Sequence, residues 1–204
     1  MTDLEQRLRE ASPPDAFLDR PRLATALARR ASAARLLDVA YASIDSPLGE
    51  LTVFVTPRGL LRIAYDNEAG DSVIGEVAEQ ISPRVLRAPA RTDEARRQLD
   101  GYFASNRRTF DLPIDWSLVR GFARGVLRAT AGVPFGQITT YGRMARAAGS
   151  PRAARAAGNA LGSNPIPIVV PCHRVLHADG TLGGYSGGLE RKRILLALEG
   201  SLPA

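Results

Sequence analysis

A single cysteine, Cys172, occurs in the 204 residues, and a histidine, His173, follows it directly. A thiol next to an imidazole is the minimum equipment for nucleophilic chemistry: the thiolate is the reactive form, and the imidazole can take its proton. A lone cysteine also serves well as a small buried hydrophobe, and that reading stays open. Glu199 is a third candidate. It lies in the last turn of a helix predicted over Leu189–Leu198, where the helix dipole disfavours negative charge. Such an acid is either a solvated helix end or the orienting partner of a histidine. The apolar run Ile166–Val170 predicts an extended strand leading into Cys172. Successive strand residues point to opposite faces, so Cys172 and His173 are expected not to touch, with a water relaying the proton between them.

The elements that must hold these residues are mainly helical in the second half. Phe122, Val126 and Leu127 mark one amphipathic helix and Thr140–Ala148 a second. Ser150 and Pro151 predict a cap and first-turn proline for a third, Pro151–Leu161, closed by Gly162. Only Gly149 and Ser150 separate the second and third, the layout of a helix-turn-helix. The third helix is rich in small residues, Ala153, Ala154, Ala156 and Ala157, among Arg152 and Arg155. It is either a good helix former packed on a neighbour or a surface that can approach a DNA groove closely, with Arg155 projecting.

From Tyr41 the pattern is strand and turn. Tyr41–Ile44, Glu50–Val55 and Leu60–Tyr65 read as strands joined at Ser46-Pro47-Leu48-Gly49 and Thr56-Pro57-Arg58-Gly59. A helix follows Asp71, with Val73, Ile74, Val77 and Ile81 on one face, and another follows Thr92, carrying Leu99, Tyr102 and Phe103. Ahead of these, Leu4 and Leu8, then Leu23, Leu27 and Ala31, fit two short helices split at Pro13-Pro14. The expected fold is α+β: an extension over 1–38, a small sheet-plus-helix domain over 39–115, and a mainly helical domain over 116–204 with the helix-turn-helix and the cysteine. The extension reads first as a disordered tail, and after that as a helical clasp on the N-terminal domain or a docking site for a partner.

The net charge of +6 suits either a polyanionic partner or simple solubility. No apolar run reaches the length of a membrane span, and the acidic start Met1-Thr2-Asp3-Leu4-Glu5 lacks the apolar core of a secretory signal. One cysteine cannot form an internal disulfide, so a reducing, cytoplasmic setting is expected.

Pro171-Cys172-His173-Arg174-Val175 resembles the active-site signature of the O6-alkylguanine-DNA alkyltransferases. Further matches run in order over the second half: Val133-Pro134-Phe135-Gly136, Thr139-Thr140-Tyr141-Gly142, Ala153-Ala154-Arg155-Ala156, Ser163-Asn164-Pro165, Gly184-Tyr185-Ser186-Gly187-Gly188-Leu189 and Leu198-Glu199-Gly200. Asp45-Ser46-Pro47-Leu48-Gly49 is similar to the family's N-terminal domain, so only the first forty or so residues stand outside the resemblance. The resemblance implies direct, irreversible transfer of an alkyl group from O6-alkylguanine in DNA to Cys172, a single turnover per molecule. It implies that His173, acting through water and held by Glu199, draws off the thiol proton, and that Asn164 braces the turn before the cysteine. Tyr141 would donate to N3 of the guanine. The backbone at Cys172 and Val175 would accept from the exocyclic amine, the Ser186 N–H would meet O6, and Tyr185 with Gly187 would wall the pocket. Arg155 matches the family's finger, which enters the base stack as the damaged nucleotide rotates out, with Arg152, Thr140, Ala154 and Ala156 also on the DNA side. The partner is then double-stranded DNA, held at the minor groove by a monomer. No cofactor is implied. Some relatives bind a structural zinc, but with only Cys172, His173 and His177 available no metal is expected here.

Two other readings compete. A helix-turn-helix sensor that uses Cys172 to report alkylation or oxidation would need base-reading side chains on the third helix, and its alanines offer almost none. A cysteine hydrolase would need His173 in direct contact with the nucleophile, which neighbouring strand positions disfavour.

Overall fold

The computed structural model describes residues 20–34, 36–68 and 70–202 of a chain that divides into two units, 1–37 and 38–204. In the first unit, helix α1 spans Arg20–Ala33; Leu23 and Leu27, expected on its apolar face, are exposed, and Ala28 is buried. The helix expected around Leu4 and Leu8 lies outside the described residues.

The second unit begins with a four-stranded sheet. Strands β1 (Val39–Ile44), β2 (Leu51–Thr56) and β3 (Gly59–Tyr65) form an antiparallel meander, and a short β4 (Val85–Arg87) adds parallel to β1, giving the order β3-β2-β1-β4. Gly59 turns β2 into β3 with φ +130°, and a Cβ there would lie 2.0 Å from the Pro113 carbonyl oxygen, so only glycine fits. Phe54, Leu61 and Ala64 pack against Val73 and Val77 of helix α2 (Gly70–Gln80). Residues such as Val53 and Ile63 join Ala95, Leu99 and Tyr102 of helix α3 (Pro89–Phe103). Two-sided burial explains why these strands read as nearly continuous apolar runs.

That second core continues into the helical half. It takes in Val126 and Leu127 of α4 (Gly121–Ala131), Met144 and Ala145 of α5 (Tyr141–Ala147), Ala157 and Leu161 of α6 (Ala154–Gly162), and Leu195 of α7 (Leu189–Leu198). Each buried Val, Leu or Met side chain among them contributes about 1.5–3 kcal/mol relative to exposure.

Three local expectations are corrected. Helix α6 starts at Ala154, not Pro151: Pro151 and Arg152 form a turn in which the Ala153 N–H donates to the Ser150 carbonyl at 3.0 Å. Ser150 therefore uses its backbone and not its side chain, and the connection between α5 and α6 runs over 148–153, longer than Gly149-Ser150. Ile166–Val170 is not a strand. Pro165, Pro167 and Pro171 have no N–H to give a ladder, and the segment coils through turns, with Ile168 at φ +73° and the Val170 N–H donating to the Ile166 carbonyl at 2.9 Å. Cys172 consequently opens a single 3₁₀ turn, Cys172–Arg174, so strand alternation does not describe Cys172 and His173. The turn leads into β6 (Val175–Leu176), which pairs parallel with β5 (Thr139–Thr140).

Candidate active site

The coiled segment before Cys172 is held at both ends. The Ile63 N–H of β3 donates to the Pro165 carbonyl at 2.8 Å, tying the segment to the sheet. Within it, the Asn164 carboxamide is fully engaged: Oδ1 accepts from the Ile166 N–H at 3.0 Å, and Nδ2 donates to the Val170 carbonyl at 2.8 Å and to Cys172 Sγ at 3.1 Å. Asn164 thus braces the turn and also touches the sulfur, a contact that supports negative charge there. Cys172 is buried, and burial pushes its thiol up to about 11, against the opposing pull of Asn164 and the Lys192 charge.

Directly behind lies a buried polar cluster. Glu199 caps the C-terminus of α7, as its sequence position requires, but it is not solvated. Its Oε1 accepts from Tyr102 Oη at 2.6 Å, Arg174 Nη2 at 2.7 Å and His173 Nε2 at 3.0 Å, and its Oε2 accepts from Arg174 Nε at 2.8 Å. Burial alone would raise its pKa, yet the bonds from His173, Arg174 and Tyr102 outweigh it and bring the carboxyl down to about 2. A carboxylate can only accept, so His173 carries its proton on Nε2. Burial keeps the imidazole below its ordinary 6.5, partly offset by Glu199. The ring is therefore neutral at pH 7 and its Nδ1 lone pair is free, with no hydrogen-bond partner among the described residues.

Lys192 Nζ is buried as well, donating to the carbonyls of Val175 at 2.8 Å and Gly183 at 3.2 Å. Burial lowers its ammonium to about 8, partly offset by Cys172. The Val175 carbonyl, assigned to the base amine by the resemblance, thus already has one donor and retains a second lone pair.

An open groove of about 540 Å³ is lined by Tyr141, Ala154, Arg155, Gly158, Asn159, His177 and the Gly184-Tyr185-Ser186 loop. Of the residues expected on the DNA side, Ala154 and Arg155 line it. Arg152 and Ala156 are exposed beside it, and Thr140 is the cap of α5, its Oγ1 accepting from the Arg143 N–H at 3.3 Å. Gly187, expected in the pocket wall, is buried against Tyr65, whose ring a Cβ would meet at 2.6 Å. Tyr141 packs at its hydroxyl end against Gly183, where a Cβ would lie 1.9 Å from Oη, so any side chain at 183 would displace the phenol. Burial raises the Tyr141 pKa, leaving the hydroxyl a donor at neutral pH. Cys172, His173 and Asn164 do not line the groove: its wall residue Tyr185 stands edge-on to His173 at 6.4 Å between ring centroids, and Asn164 lines a neighbouring cavity together with Ser186. Among the described residues no group of three or more His, Cys, Asp or Glu side chains could hold a metal ion, and no helix is long and apolar enough to cross a membrane.

Sequence reasoning gave no role to Tyr102, Arg174, Lys192 or Tyr65. Arg174 stands inside the cysteine motif and Lys192 is the sole lysine, signals that were open to reading. Tyr102 lies 97 positions from Glu199, a pairing that no local pattern reveals.

The chain is similar to known proteins over most of its length. Residues 39–116 match the family model for the 6-O-methylguanine DNA methyltransferase ribonuclease-like domain, and residues 121–201 match that for the DNA binding domain of the same proteins. A methylated-DNA–protein-cysteine methyltransferase of Mycolicibacterium paratuberculosis is 40% identical over 163 residues, 79% of this chain and 92% of that protein. The crystal structure of Mycobacterium tuberculosis O6-methylguanine methyltransferase is similar with a TM-score of 0.68 at 38% identity, covering 81% of this chain and 96% of that one. The M. tuberculosis OGT in complex with DNA is similar with a TM-score of 0.66 at 38% identity and the same coverage. The chain belongs to the methylated-DNA–protein-cysteine methyltransferase family.

Proposed function

We propose that the protein repairs DNA by moving the alkyl group of an O6-alkylguanine onto Cys172, once per molecule. The observation that carries this reading is the buried cluster, with Asn164 on the Cys172 sulfur and His173 and Arg174 on Glu199, together with an open groove lined by Arg155 and Tyr141 whose wall residue Tyr185 stands edge-on to His173. Within the 39–115 and 116–204 domains, the first serves as scaffold and the second carries the chemistry.

The groove accepts duplex DNA from the minor-groove side, and Arg155, exposed on the small-residue face of α6, fills the stack as the damaged nucleotide rotates out. The thiol proton passes through water to His173 Nδ1, whose lone pair Glu199 orients by holding Nε2–H. The sulfur then attacks the alkyl carbon: the S–C bond forms as the C–O6 bond breaks, and O6 becomes a carbonyl oxygen. Tyr141 supports the leaving purine by donating to N3, and the purine takes up the proton that restores guanine. Ser186 N–H at O6 and the backbone carbonyls of Cys172 and Val175 at the exocyclic amine fix the base. The thioether has no route back to the thiol by hydrolysis, so the molecule is consumed. Restricted proton release from a thiol near 11 fits a reaction that needs its partner in place before the thiolate forms. A monomer in the cytoplasm suffices for this chemistry.

The test is stoichiometry. With excess duplex carrying O6-methylguanine, restored guanine should rise to one equivalent per protein and stop. Continued turnover would contradict the proposal, and so would restoration by Cys172→Ser.

A further inference from the structure

The wall that Tyr185 gives the groove is not free-standing. Tyr185 Oη lies 2.6 Å from Tyr65 Oη, a hydroxyl carried at the end of β3 in the sheet, with the two rings edge-on at 6.1 Å. Tyr65 is in turn covered by the Arg191 guanidinium, 4.9 Å above its ring. Arg191 reaches from the first turn of α7 to both sides of the junction. Its Nε donates to the Leu48 carbonyl at 2.7 Å and its Nη1 to the Gly187 carbonyl at 3.0 Å, while Nη2 pairs with Asp66. Gly187 is pressed so closely on Tyr65 and Tyr185 that a Cβ would sit 2.6 Å from one ring and 3.0 Å from the other. The loop 184–188 is therefore fastened to the sheet at its phenol and at its backbone.

Tyr185 also stands close to the chemistry. It stands edge-on to His173 at 6.4 Å between centroids, and the charge of a Cys172 thiolate is felt at both Tyr185 and Tyr65. An alkyl group on its way to the sulfur must pass beside this ring. A phenol held only by its own flexible loop could swing aside for a bulky group. One bonded to a buried hydroxyl on the sheet cannot do so without breaking that bond.

We infer that Tyr65 and Arg191 are positioning residues that set the size selectivity of alkyl transfer, by fixing Tyr185 and the 184–188 loop to the sheet. The inference rests on the alkyl-transfer reading above. It assigns to the sheet half of the molecule a share in substrate choice, through residues that touch neither the base nor the sulfur.

The experiment compares second-order rate constants for Cys172 alkylation by O6-methylguanine and by O6-benzylguanine, each carried in the same duplex DNA, in wild type, Tyr65→Phe, Arg191→Met and the double variant. Tyr65→Phe keeps the ring and removes only the hydroxyl, and each variant's thermal unfolding is recorded alongside. The benzyl-to-methyl rate ratio should rise about 5-fold in Tyr65→Phe, the worth of one hydrogen bond of about 1 kcal/mol released from the wall. Arg191→Met should shift the ratio the same way, and the double variant should fall short of the product of the two, because both act on one loop. A merely structural role would lower both rates together and leave the ratio unchanged, and that result, or a falling ratio, overturns the inference. Failure of wild type to alkylate at all would instead overturn the alkyl-transfer reading, and this inference with it.

Discussion

The sheet and the site sit on one continuous core yet treat polar groups in opposite ways. In the sheet, the fully buried residues of β1 to β3 are almost all apolar, and their ion pairs, such as Arg62 with Glu68 and Glu76, stay near the surface. Between Asn164 and Glu199 the chain buries an amide, an imidazole, a guanidinium, an ammonium and a carboxylate. Burying such groups costs free energy even when they are bonded, and replacing a buried ion pair with apolar side chains is often neutral or stabilising. Stability therefore explains the sheet but not the cluster. The cluster makes sense as equipment that fixes charge around Cys172, and the apolar sheet is what supplies the surplus to carry it.

This contrast can be broken or sharpened by substitution. Arg174→Met should have the largest effect, since it leaves the Glu199 carboxylate without its main counter-charge: a loss of about 3–5 kcal/mol in stability, together with loss of alkyl transfer, read by denaturant unfolding and single-turnover rates. Phe54→Ala in the sheet should cost about 3–5 kcal/mol of stability while the folded fraction still transfers at a near wild-type rate. Coupled loss of activity per folded molecule would erase the distinction between the two regions. Arg155→Ala leaves the buried cluster alone and should slow repair of duplex DNA more than reaction with a free base analogue, because only the duplex requires base extrusion. Equal slowing on both would remove the finger role.

The smallest effect concerns pH. His173 acts as a base only when neutral, and its pKa is held below 6.5 by burial, so the acid limb of the transfer rate should be centred below 6.5. A limb at or above that value would mean that Glu199 raises the imidazole more than burial lowers it. For folding, Glu199 has the opposite sense. Its carboxyl is depressed from 4.5 to about 2, so its contribution is present above 4.5 and is lost as pH falls from there toward 2.

Much of this was legible in the sequence, and the exceptions have physical causes. The three sheet strands, α3, α4, α5 and α7 fall where periodicity and turn residues place them, within one to three residues at most ends. Strand β4 leaves no signal in the sequence, because three residues carry no period and only its pairing with β1 makes it a strand. The run Ile166–Val170 looks like a strand by its apolar content, but the prolines that flank and interrupt it deny the segment its amide donors. Cys172, His173, Asn164 and Glu199 stood out by type and motif. What composition could not convey was how Glu199 stays charged at a buried helix end. The answer lies in Tyr102 and Arg174, brought in from α3 and from the cysteine's own turn, and in long-range packing that leaves no local mark.

The most direct measurement is intact and peptide mass spectrometry after mixing the protein with duplex DNA containing O6-methylguanine. A gain of one methyl group on the peptide that holds Cys172, matched by restored guanine in the DNA, is the expected result. An unchanged mass with the DNA still tightly bound would contradict the account and leave a lesion-binding protein that keeps the site without its chemistry.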